Sequence, residues 1–281
     1  MSLPRYAVFG HPVAHSLSPR LHALFAAQTG IEQEYLALDT ASAGFADAVR
    51  AFFAQGGRGA NITLPHKAAA FDLADVRTAA AEPLGVANVL TGFPDGRLEA
   101  DSNDGAGMLA DLCSRCGIDP RGRNVLLLGA GGAARAAAFA LRDADVRTLA
   151  IANRTFERAG SLADALTSPE RVRVLRWNTL DRCAPFDLIV NATSAGLHHA
   201  DLALPESLAD PRTDAYDLSY GRAADAFLAW THRAGCASAF DGLGMLVETA
   251  AASFERWHGI HPDVDAALRS LRDRSQERVR A

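Results

Sequence analysis

The run Arg123-Asn-Val-Leu-Leu-Leu128 leads directly into Gly129-Ala-Gly-Gly-Ala-Ala134, and the alanine-rich stretch Ala134–Leu141 follows. A continuous apolar run suits a strand buried on both faces. The glycines then demand a tight turn, and the alanines suit a helix packed close to the strand. Gly129 and Gly131 occupy the two leading positions of a G-x-G-x-x-G/A pattern, with Ala134 as the third small residue. The first allows the turn, the second lets backbone approach a pyrophosphate, and the third permits close helix–strand packing. The helix N-terminus would present free N–H groups to phosphates. The same glycines could serve a structural turn alone, but strand, turn and helix occur here in the order a dinucleotide site needs.

The next strand ends at Asn153, followed by Arg154, Thr155 and, one turn later, Arg158. An NAD site places an acid about 20 residues beyond the glycines to bind ribose hydroxyls. No acid stands here. Two guanidiniums could take a 2′-phosphate through forked, charge-assisted hydrogen bonds, so NADP is the expected cofactor. The alternative is that both arginines lie on a solvated helix face.

The surrounding pattern alternates strands and helices, which implies α/β architecture with parallel sheets. Tyr6–Phe9, Tyr35–Leu38 and Gly59–Leu64 read as strands of a first zone ending near Asp104, with helices over Arg20–Thr29 and Phe45–Gln55. The Rossmann-type zone adds strands at Arg147–Ala152, Asp187–Val190 and Ala215–Asp217, and runs to about Phe240. Asp241–Ala281 reads as helical, its tail Ala266–Ala281 as an exposed amphipathic helix. The expected division is therefore 1–104, 105–240 and 241–281. The 281 residues suit one large or two ordinary domains.

Charge excludes some classes. The formal net charge of -5 argues against a dedicated nucleic-acid binder. No apolar stretch approaches the ~20 residues of a membrane helix, and Met1–Gly10 lacks the pattern of a secretory signal. A cytoplasmic protein with no membrane partner is expected. Cys113, Cys116, Cys183 and Cys236 offer no second pair for zinc, and the adjacent His198 and His199 cannot form an i, i+4 metal pair, so no metal is expected.

Of the 28 Lys and Arg residues, one is lysine: Lys67, in Asn61-Ile-Thr-Leu-Pro-His-Lys67. An arginine cannot release its proton at useful pH, whereas a lysine can. A proton-transfer role explains this identity; a surface lysine that escaped replacement by arginine explains it equally from composition. Asp101-Ser-Asn-Asp104 could cap a helix or supply a carboxylate that shares a proton with Lys67. Ser16 and Ser18 lie in a Pro-bounded loop, where hydroxyls make turns or bind an oxygen-rich ligand.

Together these segments resemble the shikimate/quinate dehydrogenase family over nearly the whole chain. The resemblance rests on Gly10-His-Pro-Val-Ala-His-Ser-Leu-Ser-Pro19, Ala60–Lys67, Asn88, Asp104-Gly105, Gly129–Ala133, Asn153–Thr155 with Arg158, Asn191-Ala-Thr-Ser194, Asp241-Gly-Leu-Gly-Met-Leu246 and Trp257-His-Gly259. It implies two α/β domains flanking a cleft, with the C-terminal helices returning to the substrate domain. It also implies the reversible, NADPH-dependent reduction of 3-dehydroshikimate to shikimate, in chorismate and aromatic amino-acid biosynthesis, by a monomer or homodimer.

By the same resemblance Lys67 and Asp104 are catalytic. Ser16, Ser18, Thr63, Asn88, Tyr220 and Thr249 bind substrate. Gly129, Ala130, Gly131, Gly132, Ala133, Asn153, Arg154, Thr155, Arg158, Thr193, Leu218 and Gly242 bind cofactor. The chain departs from the family pattern where Asn103 and Val89 each replace a threonine and Thr249 replaces a glutamine; the usual Pro and Thr after Tyr220 are also absent. Quinate as substrate, or a non-catalytic NADP-binding protein, are the competing expectations.

Overall fold

The computed structural model describes residues 3–196 and 202–280, with backbone alone over 273–280. His198 and His199 lie outside the described residues. The chain divides into two compact units, Met1–Asn103 with Leu246–Ala281, and Asp104–Met245.

The first unit opens with β1 (Arg5–Gly10), α1 (Ser18–Thr29), β2 (Glu34–Asp39), α2 (Phe45–Ala54), β3 (Gly57–Ile62) and α3 (Lys67–Leu73). Pro19 stands at the start of α1, where a missing N–H costs nothing, and Gly30 ends it in the left-handed conformation. Then come the short strands β4 (Val76–Arg77), β5 (Val89–Gly92) and β6 (Leu98–Asp101). The sheet order is β2-β1-β3-β5-β6-β4. β1 runs parallel to β2 and β3, whereas β5 is antiparallel to β3 and to β6. The expected parallel character thus holds for the first three strands. β5 is a hairpin partner of β6, so it reverses direction without a crossover helix.

The second unit begins with α4 (Asp104–Ser114), followed by β7 (Asn124–Leu128), α5 (Gly132–Asp143), β8 (Thr148–Asn153), α6 (Phe156–Ala165), β9 (Val172–Arg176), β10 (Leu188–Asn191), β11 (Asp214–Asp217), α7 (Asp225–Arg233) and β12 (Ser238–Phe240). All six strands are parallel, in the order β12-β11-β10-β7-β8-β9. The direction of winding reverses between β7 and β10, the switch point where open α/β sheets bind ligands beyond the strand ends. Val125–Leu128 and Ala150–Ala152 are buried, as continuous apolar strands require.

Two helices complete the chain, α8 (Leu243–His258) and α9 (Val264–Arg280). From Leu246 onward they belong to the first unit. Trp257 of α8 stacks on Tyr6 of β1, ring centroids 4.9 Å apart. A Cβ on Gly59 would lie 2.3 Å from the Trp257 ring, so the missing side chain in β3 makes room for the helix. The structure corrects one expectation for the tail. Ala267, Leu268 and Leu271 are buried rather than lying on an exposed helix, and Arg20 of α1 donates to the Ser270 carbonyl at 2.8 Å. The apolar stripe of α9 has a partner in α1 that lies far away in sequence.

Candidate active site

In the first unit the end of β3 gathers the predicted polar residues. The Thr63 amide donates to the Phe9 carbonyl at 2.9 Å, and the His66 amide donates back to the Thr63 carbonyl at 3.0 Å, closing a turn before α3. His66 stacks on Phe45 at 4.3 Å and its Nε2 meets the Thr40 carbonyl at 2.7 Å, which pins that turn. Lys67 is the first residue of α3. Its carbonyl accepts from the Ala87 amide at 2.9 Å, so Lys67 stands next to the segment that carries Asn88.

The Asn88 side chain is buried and oriented. Its Oδ1 accepts from the Asn103 amide at 2.9 Å, while its Nδ2 donates to Asn103 Oδ1 at 2.6 Å. The other Asn103 amide hydrogens reach the Thr249 carbonyl and Ser253 Oγ, both at 3.1 Å. Ser253 Oγ also accepts from Asn61 Nδ2 at 2.8 Å. Asn61 Oδ1 in turn accepts from the Tyr35 hydroxyl at 2.7 Å, and Ser18 stands beside that same hydroxyl. Ser16 Oγ donates to Ser18 Oγ at 3.2 Å. One chain of neutral groups therefore links Tyr35 to Asn88 through β2, β3 and α8, with the Ser16–Ser18 pair beside its Tyr35 end. Burying such groups is tolerable only because each is paired.

Burial pushes the Tyr35 hydroxyl well above the usual tyrosine range, so it stays a neutral donor. Thr249 donates its hydroxyl to the Leu246 carbonyl at 3.0 Å on its own helix, which leaves it only acceptor capacity for anything else. The loop that carries Ser16 is held by Asp39, which meets His11 Nδ1 at 2.6 Å and accepts from the Val13 amide at 2.9 Å. The His11 hydrogen bond, then that of Val13, holds the Asp39 carboxyl below its ordinary value.

The two acids of Asp101–Asp104 are differently placed. Asp101 accepts from Thr78 Oγ1 at 2.5 Å and pairs with Arg256 at 3.1 Å, a structural tie. Asp104 is buried at the start of α4, and so opens the second unit. Asn61, Asn103, Ser253 and Tyr35 were not singled out from sequence. Asn61 and Asn103 did lie inside the polar motifs; nothing local marks Ser253.

In the second unit the dinucleotide pattern falls at the switch point. Gly129 has φ +110°, and a Cβ there would lie 2.8 Å from the Ala192 carbonyl oxygen, so only glycine fits between the ends of β7 and β10. Gly131 caps α5 with no side chain, which leaves the first-turn amides from Gly132 and Ala133 free of a side-chain acceptor. Such an end suits a phosphate group.

Asn153 ends β8, its Nδ2 donating to the Thr155 carbonyl at 2.9 Å. Arg154, Thr155 and Arg158 are exposed around the N-terminus of α6. Thr193 follows β10, its hydroxyl donating to Asn191 Oδ1 at 2.8 Å. Leu218 and Tyr220 follow β11. The Gly242 amide donates to the Ser219 carbonyl at 2.8 Å, and a Cβ on Gly242 would lie 2.4 Å from the Leu218 oxygen. A glycine cradle, an uncapped helix end and exposed guanidiniums where an acid would repel phosphate fit NADP. Among the described residues no His, Cys, Asp and Glu cluster could hold a metal ion, and no helix is long and apolar enough to cross a membrane.

Three family models match successive parts of the chain. Residues 8–90 match the shikimate dehydrogenase substrate binding domain, 112–214 the shikimate / quinate 5-dehydrogenase model, and 242–272 the shikimate 5′-dehydrogenase C-terminal domain. The chain is 50% identical to "Shikimate dehydrogenase (NADP(+))" of Stenotrophomonas maltophilia, over 96% of each protein. Its fold matches the crystal structure of an Ael1 enzyme from Pseudomonas putida with a TM-score of 0.86 and 40% identity, over 95% of this chain and 98% of that one. It also matches a shikimate 5-dehydrogenase from Thermus thermophilus in complex with NADP(H) and shikimate, with a TM-score of 0.84 and 34% identity, over 96% and 99%. By sequence over its full length and by fold, the chain belongs to the shikimate dehydrogenase family.

Proposed function

We infer that the chain is an NADP-dependent shikimate dehydrogenase, which reduces 3-dehydroshikimate reversibly to shikimate on the route to chorismate and the aromatic amino acids. The observation that carries the reading is the sole lysine of the chain at the first position of α3, its backbone bonded to the segment of Asn88, in a protein whose curated relatives carry that activity in their names.

NADPH, when bound, supplies the hydride to the ketone carbon. Gly129 to Ala133 approach its pyrophosphate with backbone amides. Asn153, Arg154, Thr155 and Arg158 take the ribose and its 2′-phosphate; Thr193, Leu218 and Gly242 line the nicotinamide end. On the substrate side Ser16 and Ser18 receive the carboxylate. Thr63, Asn88, Tyr220 and Thr249 bind the remaining oxygens. As the ketone is reduced its oxygen gains negative charge, and Lys67 Nζ delivers the proton that quenches it. Asp104 is the carboxylate that shares that proton. Proton transfer of this kind contributes ~10²–10⁴ in rate. We propose that Met1–Asn103 with Leu246–Ala281 forms the substrate domain and Asp104–Met245 the cofactor domain, in a cytoplasmic monomer or homodimer.

A steady-state assay with shikimate and quinate against NADP⁺ and NAD⁺ tests the reading. Turnover is expected to be highest with shikimate and NADP⁺. Strong activity with quinate and NAD⁺, and little with shikimate and NADP⁺, would overturn it.

A further inference from the structure

Asp217 is a fully buried carboxylate at the end of β11 with no place in the proposed chemistry. It stands at a junction of two loops. Its Oδ2 accepts from Asn191 Nδ2 at 2.9 Å, which ties the end of β11 to the end of β10. Its Oδ1 accepts from the Ser219 amide at 2.7 Å. Each of those partners holds something further. Asn191 Oδ1 accepts from both the amide and the hydroxyl of Thr193, at 3.2 and 2.8 Å, and the Asn191 carbonyl accepts from the Leu218 amide at 2.8 Å. The Ser219 carbonyl accepts from Gly242. One carboxylate thus orients Thr193 through Asn191, and Leu218, Tyr220 and Gly242 through the backbone of Ser219.

We propose that Asp217 is a positioning residue for the dinucleotide site: by accepting from Asn191 and Ser219 at once, its carboxylate sets the two strand-end loops of β10 and β11 in their binding conformation. The inference rests on the NADP reading of those loops. It requires the ionised form. A protonated carboxyl turns one oxygen into a hydroxyl, a much weaker acceptor than a carboxylate oxygen, so one of the two donors is held less firmly.

The charge is held at some cost. Burial, opposed by the hydrogen bonds from Ser219 and Asn191 and reinforced by Asp241, raises the Asp217 carboxyl to about 6. Asp241, just beyond β12, is the charged neighbour whose repulsion adds to that rise. NADP⁺ affinity is therefore expected to be full above about pH 7 and to weaken as the pH falls through 6 and Asp217 takes up a proton.

Calorimetric titration of NADP⁺ into wild-type protein and Asp217→Asn, between pH 8 and pH 5, tests this without catalysis. Asn at this position turns an NH₂ toward one of the two donors and so mimics the protonated acid. The variant should bind about tenfold more weakly at pH 8, the worth of one hydrogen bond to a charged group. It should approach wild type by pH 5. The 2′-phosphate itself titrates near 6, but it does so against both proteins, so the ratio of affinities is the readout. A ratio near one at pH 8, or one that stays constant with pH, overturns the inference alone. No wild-type binding at pH 8 overturns the cofactor reading and this inference with it. Should Asp217→Asn not fold, Asn191→Ser serves. Losing a hydrogen bond that favours the carboxylate should move the midpoint of the affinity profile upward, and an unmoved midpoint overturns the proposal.

Discussion

The ends of β3 and β7 both lead from a strand into a helix, yet they are built from opposite materials. Around the end of β3 the fold gathers polar side chains that hold one another: Asn61, Asn88 and Asn103 are linked through Ser253, with Tyr35 and Ser18 beyond. After β7 it omits side chains: Gly129 packs against the Ala192 carbonyl and Gly131 leaves the first-turn amides of α5 without a side-chain cap. A network of amides and hydroxyls selects a small polar molecule by hydrogen-bond geometry, and each member can fail separately. A backbone cradle binds phosphate with amides that every residue owns, and it fails when a Cβ intrudes.

The first way to break this comparison is at Lys67. If its role is proton transfer, Lys67→Arg keeps the charge and still lowers kcat by ~10²–10⁴, with NADP⁺ affinity unchanged in a binding titration. Turnover near wild type would reduce Lys67 to a cation. Arg154→Ala comes next. Loss of a charge-assisted bond to the 2′-phosphate should raise the KM for NADP⁺ by about 10–100-fold and leave that for NAD⁺ nearly unchanged; equal loss for both would remove the phosphate assignment.

At Gly129 the intrusion itself can be tested. Gly129→Ala forces a side chain into a left-handed backbone against the Ala192 carbonyl. A cost of about 1–3 kcal/mol should appear in calorimetry as a fall in Tm of a few degrees, together with weaker NADP⁺ binding. The matching change in the first unit is Asn103→Ala. It removes the Asn103 Oδ1 acceptor of Asn88 Nδ2 and should raise the KM for shikimate about 5–10-fold through the loss of one or two hydrogen bonds. Both kcat and the KM for NADP⁺ should stay close to wild type; an unchanged KM for shikimate would make the network a packing feature only.

The smallest effect at neutral pH, and a growing one in acid, belongs to His22. It is fully buried and stacked on Tyr35 at 3.9 Å. Burial, with His258 nearby, lowers it to about 3. The unfolded chain takes up that proton near 6.5, so the stability due to neutral His22 is complete above that value and is lost as the pH falls toward 3. Two units below 6.5 the loss is about 2–3 kcal/mol. His22→Phe should flatten the fall of Tm between pH 7 and 4.5; an equally steep fall in the variant would place the acid sensitivity elsewhere.

How much of this was legible beforehand follows from where each signal lives. The apolar run before Gly129 and the alanines after it carry strand, turn and helix in one short stretch, and β7 and α5 form there. Val89–Gly92 and Leu98–Asp101 are too short for periodicity to reveal strands, and their pairing depends on β3. His22 sits on a helix face where a histidine looks solvated; its aromatic neighbours Tyr35, Phe254 and Trp257 arrive from distant segments. The α9 stripe is buried for the same reason, because α1, distant in sequence, packs against it.

By itself the sequence determined the chemistry of the parts: where a lysine stands among arginines, where glycines cluster after an apolar strand, and where arginines rather than an acid follow the next one. Those are local properties, set by residue type and by neighbours along the chain. The tertiary structure alone decided what holds the parts in place. Asn103 reaches Ser253 across 150 residues of chain, and Asp217 reaches Asn191 across 26. A hydrogen bond depends on distance in space, and nothing in the spacing of these residues records it.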